Sequence, residues 1–277
     1  MYKKSASVAT IAAKSLVIYF EKLPMFLKYL AAPVLLQILG GVILGIGMFM
    51  IAAKAIGGGG AGAMMIGVLV LIAGIAVLVN AIWKYLIKMG GLILISKQII
   101  ENEPLKDTKY YTKAFESRSG YITYLLIAGF LIPLIPISLA FIGGFYAGYV
   151  GDNNLLALSI FLSIAFLVIL CPFLIVTMQS FALSSNLTPW EAIVKGMKLS
   201  GGKYLQSWGL LILYSIIVTI ISLLIAVFAM MVSTGAGLPK VTTDIISYIF
   251  SQFFIPYWAI CFTWWYLRIE KEERSGR

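Results

Sequence analysis

Chemistry needs side chains that can attack, ionise or ligate, and this chain carries few of them. It has no histidine and only two cysteines, Cys171 and Cys261, each inside an apolar run. Nucleophilic sites built on histidine, His-ligated haem and His-rich zinc sites are thereby excluded. Four-cysteine metal sites and disulfide frameworks go with them, and two thiols in apolar surroundings read as packing residues. Glu101, Glu103 and Asp107 lie close together beside Pro104, where they read as a solvated acidic stretch rather than as paired catalytic carboxylates. No catalytic residue, metal site or cofactor is expected. The groups left to hold a ligand are uncharged: Gln37, Asn80 and Gln179, with Gln252, Thr219, Ser222 and Thr263 as further polar positions in apolar sequence. Amides in such places either join neighbouring helices, at roughly 0.6 to 2 kcal/mol each, or line a polar cavity. Pro133, Pro136, Pro172 and Pro256 fall near the middle of apolar runs and predict kinks there.

The elements that must position these residues are set by composition. Of 277 residues, 61% are hydrophobic and 12% charged, against roughly 45–50% and about 25% in soluble domains. Mean hydropathy is +0.99. So little polar surface cannot cover a globule in water, and lipid is the solvent for most of the chain. A soluble enzyme, a nucleic-acid-binding domain and a disordered tail protein are excluded. Runs of about 20 apolar residues cross a bilayer as helices, and six are found: Tyr29–Ala53, Met64–Trp83, Tyr121–Val150, Leu155–Leu183, Trp208–Ser233 and Asp244–Leu267. Every ionisable residue lies at or close to the end of a run, which argues against transport coupled through buried carboxylates.

Charge orients these spans. All but Lys54 and Lys240 of the 21 Lys and Arg residues fall in the N-terminal segment, in 84–118, in the 195–203 loop or in the C-terminal tail. Basic connections remain in the cytoplasm, so both termini are expected there, with the spans in a bacterial cytoplasmic membrane. The net charge of +10 has the same origin: it predicts contact with anionic lipid headgroups on the cytoplasmic side and no nucleic-acid partner. Lys14, Glu21 and Lys22 interrupt the N-terminal apolar stretch, so no cleaved leader is expected. Ser5–Phe20 reads instead as an interfacial helix, with Val8, Ile11, Ala12, Leu16 and Tyr19 on one face.

The fold class expected is all-α: a polytopic membrane protein of six transmembrane helices plus amphipathic interfacial helices, arranged as three repeated helical hairpins in one domain. The parts are an N-terminal interfacial helix (1–28), a first hairpin (29–96), a second unit (97–183), a third unit (184–267) and a tail (268–277). Ser119-Gly120-Tyr121 and Ser200-Gly201-Gly202 each precede a span, each followed by Tyr-Leu, and Pro172 and Pro256 open the inner half of each returning span. Thr188-Pro189-Trp190-Glu191 fits a capping box with proline at the first helical position. It starts a helix on which Trp190, Ile193, Val194 and Met197 share a face and Lys195 and Lys198 point elsewhere. Thr108–Arg118 is its counterpart, with Tyr111, Ala114 and Phe115 against Lys109, Lys113 and Glu116. Trp190, Lys195, Lys198, Lys109 and Lys113 are therefore the candidate contacts to lipid or to a partner. Gly41 with Gly45, and Gly144 with Gly148, have the spacing of close helix contacts.

The Ser15-Leu16 to Leu27-Lys28 segment, Leu187–Ile193 leading to Lys198–Gly202, and the closing Pro256 to Arg268 carry a resemblance. In them the chain resembles uncharacterised bacterial six-pass membrane proteins, and the membrane domain fused to some glycerophosphodiester phosphodiesterases. The resemblance implies an architecture. The hydrolase domain of such fusions has no counterpart in these residues, so no phosphodiesterase activity is implied. Two functions remain open: a scaffold or accessory subunit of a membrane complex, or a permease or lipid-handling protein whose inward-facing cavity is lined by Gln37, Asn80 and Gln179.

Overall fold

The computed structural model describes residues 7–57, 61–128, 132–151, 153–174, 176–235, 248, 251–252 and 254–276. Every regular element among them is helical: α1 (Val8–Glu21), α2 (Leu23–Gly57), α3 (Ala61–Glu101), α4 (Thr108–Glu116), α5 (Tyr121–Leu126), α6 (Ile132–Val150), α7 (Asn153–Leu174), α8 (Thr177–Leu183), α9 (Pro189–Gly202), α10 (Tyr204–Gly235) and α11 (Ile255–Ser275). Four stretches are long and apolar enough to cross a membrane: Leu23–Ala53, Met64–Glu101, Asn154–Leu183 and Tyr204–Met231. Their most apolar windows are only 6 to 27% buried, so rows of Leu, Ile, Val and Phe face outward. Water would penalise that surface, whereas lipid solvates it and the helix satisfies its own backbone. The chain is a multi-pass membrane protein. The expected third span is helical in α5 and α6, with 129–131 outside the described residues. Much of the first half of the expected sixth span (244–247, 249–250 and 253) is outside them too, and its second half begins α11.

Two units make up the chain: Tyr19–Met89 with Ile217–Pro256, and Met1–Ile18 with Gly90–Ile216 and Tyr257–Arg277. In the first, α2 and the apolar part of α3 form an antiparallel hairpin held by glycines. A Cβ on Gly47 would stand 2.7 Å from the Leu71 backbone, and one on Gly74 2.7 Å from the Leu44 backbone; Gly40 meets Leu78 at 2.8 Å. Contact residues thus recur at seven-residue spacing, two helical turns, as helices crossing at a small angle require. A Cβ on Gly41 or Gly45 would meet nothing within 4 Å among the described residues; the seam with α3 runs through the adjacent positions. Likewise Gly143, against Ser159, makes the tight contact on α6, while a Cβ on Gly144 would only touch Leu156 at 3.4 Å and Gly148 meets nothing.

Pro33 stands inside α2 and has no N–H to give to the carbonyl four residues back, that of Tyr29. Lys88 of α3 replaces it: its Nζ donates to Tyr29 O, and the ammonium also lies 4.8 Å from the centre of the Tyr29 ring.

The second unit has an aromatic core. Trp265, Tyr111, Tyr124, Tyr257, Tyr266, Phe115, Phe181 and Phe262 are fully buried. Phe181 of α8 stacks on Tyr124 of α5 at 4.3 Å and meets Phe115 of α4 edge-on at 5.8 Å. Residues 8–18 of α1 belong to this unit, with Ile11 and Ala12 buried; Tyr257 donates to Ala12 O at 3.3 Å. Lys14 is exposed. Residues 268–275, set apart as a tail by their charge, continue α11 without a break.

Proline behaves differently at each position. α7 is described as far as Leu174, two residues after Pro172, residue 175 lies outside the described residues, and Val176, at φ −116°, stands outside the helix before α8 begins at Thr177. The carbonyls at this break are served by side chains: Ser200 donates to Pro172 O, Thr177 to Leu174 O at 2.9 Å and Tyr204 to Ile169 O at 3.4 Å. Pro256 is the second residue of α11, where its missing N–H costs nothing; it opens that helix. Pro133 and Pro136 lie in the first turns of α6, with their side chains outside the described set.

Candidate functional site

The densest grouping of polar side chains in the second unit lies where α9 meets α11. α9 begins with the capping box read from the sequence. Thr188 Oγ1 accepts from the Glu191 N–H at 3.3 Å, and Glu191 accepts from the Thr188 N–H at 2.8 Å, with Pro189 at the first position. These bonds hold the Glu191 carboxyl below its usual range. Packed against this start is Gly120, the N-cap of α5, which adopts φ +75° and where a Cβ would lie 2.6 Å from the Pro189 ring; only glycine suits both demands. Along the helix, Gly196 lets α9 close on α8, since a Cβ would stand 2.7 Å from Thr177 Cα.

The buried face of α9 consists of Ala192, Ile193, Gly196, Leu199 and Ser200. Trp190 and Val194 point outward, 63% and 46% exposed. The face expected to hold Trp190, Ile193, Val194 and Met197 together is thus divided: Ile193 enters the protein core and Trp190 with Val194 is presented outside. On α4, Tyr111 and Phe115 are buried and Lys109 and Lys113 exposed.

Lysines on α9 and at its C-cap meet glutamates on α11. Lys195 contacts Glu270 at 2.5 Å, Lys203 contacts Glu272 at 3.2 Å and Lys198 approaches Glu273 at 3.9 Å. The first pair is the most sheltered, with side chains 28% and 15% exposed. Glu270 also accepts from Tyr266 at 3.1 Å and Arg274 at 3.1 Å, while Lys195 donates to Ser184 at 3.2 Å. Burial pushes the Glu270 carboxyl up, but the Lys195 hydrogen bond and the charges of Lys195 and Arg274 outweigh it and hold it below its ordinary value. Burial pushes the Lys195 ammonium down, and Glu270 reverses that. Sequence reading set Lys195 and Lys198 aside for lipid or partner contact; the structure brings them to Glu270 and Glu273. Glu270, Tyr266 and Ser184 were missed. The Glu270-Lys271-Glu272-Glu273-Arg274 run directly after an apolar helix marks the region in the sequence, but not what it pairs with.

Beside this network opens a cleft of about 670 Å³, walled by Lys97 and Glu101 of α3, the Ser184–Leu187 loop, Lys195, and Glu270, Lys271 and Arg274 of α11, with Leu183 and Leu267 between them. A second, of about 550 Å³, runs along Trp190, Val194, Lys198 and Glu273. None of the three amides is among the residues lining either cleft. Gln37, in the first unit, is buried and accepts from Tyr248 at 2.6 Å. Asn80, on α3 of the same unit, is exposed. Gln179, on α8 of the second unit, is fully buried, and neither end of its amide has a protein partner.

Trp265 Nε1 donates to Ser207 at 3.1 Å, and Ser207 lies 3.1 Å from Ser200. These residues link α11, α10 and α9 to the α7 break. Among the described residues, no group of three His, Cys, Asp or Glu could hold a metal. Comparison with protein-family models, curated proteins and solved structures found no match.

Proposed function

We propose that this chain is a scaffold or accessory subunit of a complex in a bacterial cytoplasmic membrane. Six helices cross the bilayer as three repeated hairpins, both termini are cytoplasmic, and α1, α4 and α9 lie at the inner interface. The observation that carries the reading is the docking of α9 on α11. Lys195 and Lys203 pair there with Glu270 and Glu272, Thr188 and Glu191 cap the start of α9, and the helix is left presenting Trp190 and Val194. Such an arrangement suits holding a surface in place. Indole at the headgroup layer beside lysines is also the composition of an interfacial anchor. Gln37, Asn80 and Gln179 do not share one of the clefts above, so the alternative of an amide-lined permease draws no support from their placement.

The test is purification of the full chain from its native membrane in mild detergent, followed by native mass spectrometry. The expected result is a second polypeptide in fixed stoichiometry, released by Trp190→Glu with Val194→Glu while the thermal midpoint of the chain is kept. Recovery of the chain alone from every preparation would end the proposal.

A further inference from the structure

We infer that the cleft bounded by α3, the α8–α9 loop, α9 and α11 is a binding site for a phosphate-bearing anion. Its walls hold four cations, Lys97, Lys195, Lys271 and Arg274, against two carboxylates, Glu101 and Glu270. Glu270 already accepts from Lys195, Tyr266 and Arg274, and Glu101 is 3.8 Å from Lys97. The formal charge of the lining is +2, around a volume of about 670 Å³, within the roughly 300–1,000 Å³ usual for small-ligand sites. Ser184, Ser185 and Asn186 add neutral hydrogen-bonding groups to the rim. A guanidinium, ammonium groups and hydroxyls converging on one concavity match the several acceptor oxygens of a phosphate better than they match a single carboxylate.

The floor supplies a second observation. Leu183 and Leu267 line the cleft. One helical turn before them, on the same faces of α8 and α11, come Gln179 and Thr263. Both are fully buried, and the Gln179 amide and the Thr263 hydroxyl have no protein partner. Buried polar groups in folded proteins find a partner, protein or water. Two buried polar groups with unmet hydrogen-bonding capacity thus lie one helical turn from the leucines that line the cleft. Leu183, Leu187 and Leu267 at the edge fit the glycerol and first methylenes of a lipid, while a free phosphate ester needs only the cations. The shared chemistry is the phosphate.

Two arms separate the sources, both using the full-length chain. In the first, the protein is reconstituted in nanodiscs of phosphatidylcholine with one fifth phosphatidylglycerol, and the lipid retained on release is counted by native mass spectrometry. In the second, detergent-solubilised protein is titrated with inorganic phosphate and with glycerol 3-phosphate, following the thermal midpoint. The site is supported if phosphatidylglycerol is retained at least five-fold above its bulk share, which identifies a lipid headgroup. It is supported equally if a phosphate solute raises the midpoint by several degrees with saturation, which identifies a soluble ligand. Lys97→Gln with Lys271→Gln should reduce either signal at least five-fold, the paired arginine substitutions should retain it, and Lys109→Gln with Lys113→Gln on α4 should leave it unchanged. These lysines are at the surface, so unaltered midpoints without ligand show that the variants fold. Neither arm responding, or the glutamine pair responding like the parent, overturns the inference. That outcome leaves the partner test on Trp190 and Val194 untouched.

Discussion

Lys88 is the side chain whose removal tests the helix accounting most sharply. Pro33 deprives the Tyr29 carbonyl of its usual N–H donor inside α2, and Lys88 Nζ supplies another. A hydrogen bond with one charged member contributes about 1.5–3 kcal/mol, and the ammonium over the Tyr29 ring about 0.5–2 kcal/mol more. Tyr29 is 4% exposed, so water cannot freely take the place of the lysine. Lys88→Met keeps the aliphatic stem and withdraws the donor, and should destabilise the chain by about 2 kcal/mol. Pro33→Ala returns an N–H within reach of the same carbonyl. In that background Lys88→Met should cost about 1 kcal/mol less, because the lost donor is replaced from within the helix. The assay is unfolding of the full chain in mixed micelles by added dodecyl sulfate, followed by tryptophan fluorescence, for the parent, both single variants and the double variant. A coupling of about 1 kcal/mol or more supports the reasoning. Additivity within about 0.5 kcal/mol, the behaviour of independent sites, would refute it.

Thr188→Ala removes the cap of α9 and should cost about 1 kcal/mol, read as a lower thermal midpoint that Thr188→Asp largely restores. Gly120→Ala forces a Cβ into both a left-handed backbone and the Pro189 ring; a loss of about 2 kcal/mol is expected, checked by the same melt. Gly47→Val, which drives a side chain into the Leu71 backbone, should destabilise far more than Gly41→Val, which meets open space; equal effects would contradict the hairpin register. The pairing of Glu270 with Lys195 sets a pH window. The Glu270 carboxyl is depressed below 4.5, so its contribution is present above that value and lost as pH falls through its folded value. The Lys195 ammonium is raised above 10.5, so its contribution is full below that and disappears as pH rises past its folded value. A plateau in the thermal midpoint is expected between these limits, with an acid limb that flattens in Glu270→Gln.

Local signals were legible in the sequence and distant ones were not. The Thr188-Pro189-Glu191 cap and the Tyr111–Phe115 stripe of α4 were readable because each depends on residues within one or two turns. Helix existence was readable for the same reason, since apolar length alone demands it. The glycine seam was misplaced by one position. Which side of α2 meets α3 is decided by the partner helix, and Gly40 and Gly41 look alike until it is in place. Pro256 resembled Pro172 in its apolar surroundings, but its effect depends on where α11 starts. The charge pairs of α9 with α11 join residues about 75 apart, and nothing local marks Glu270 as the partner of Lys195 rather than as part of a solvated tail. Pro33 went unnoticed because a donor from another helix, Lys88, compensates for it.

Sidedness is the most direct test of the account. Single cysteines placed at Lys109 and at Lys198, in a chain with Cys171 and Cys261 changed to serine, are exposed in intact cells to a membrane-impermeant maleimide. The account predicts that neither is labelled until the membrane is permeabilised, and that both are labelled then. Labelling of either position from outside would place α4 or α9 on the wrong face, and the cytoplasmic platform would have to be abandoned.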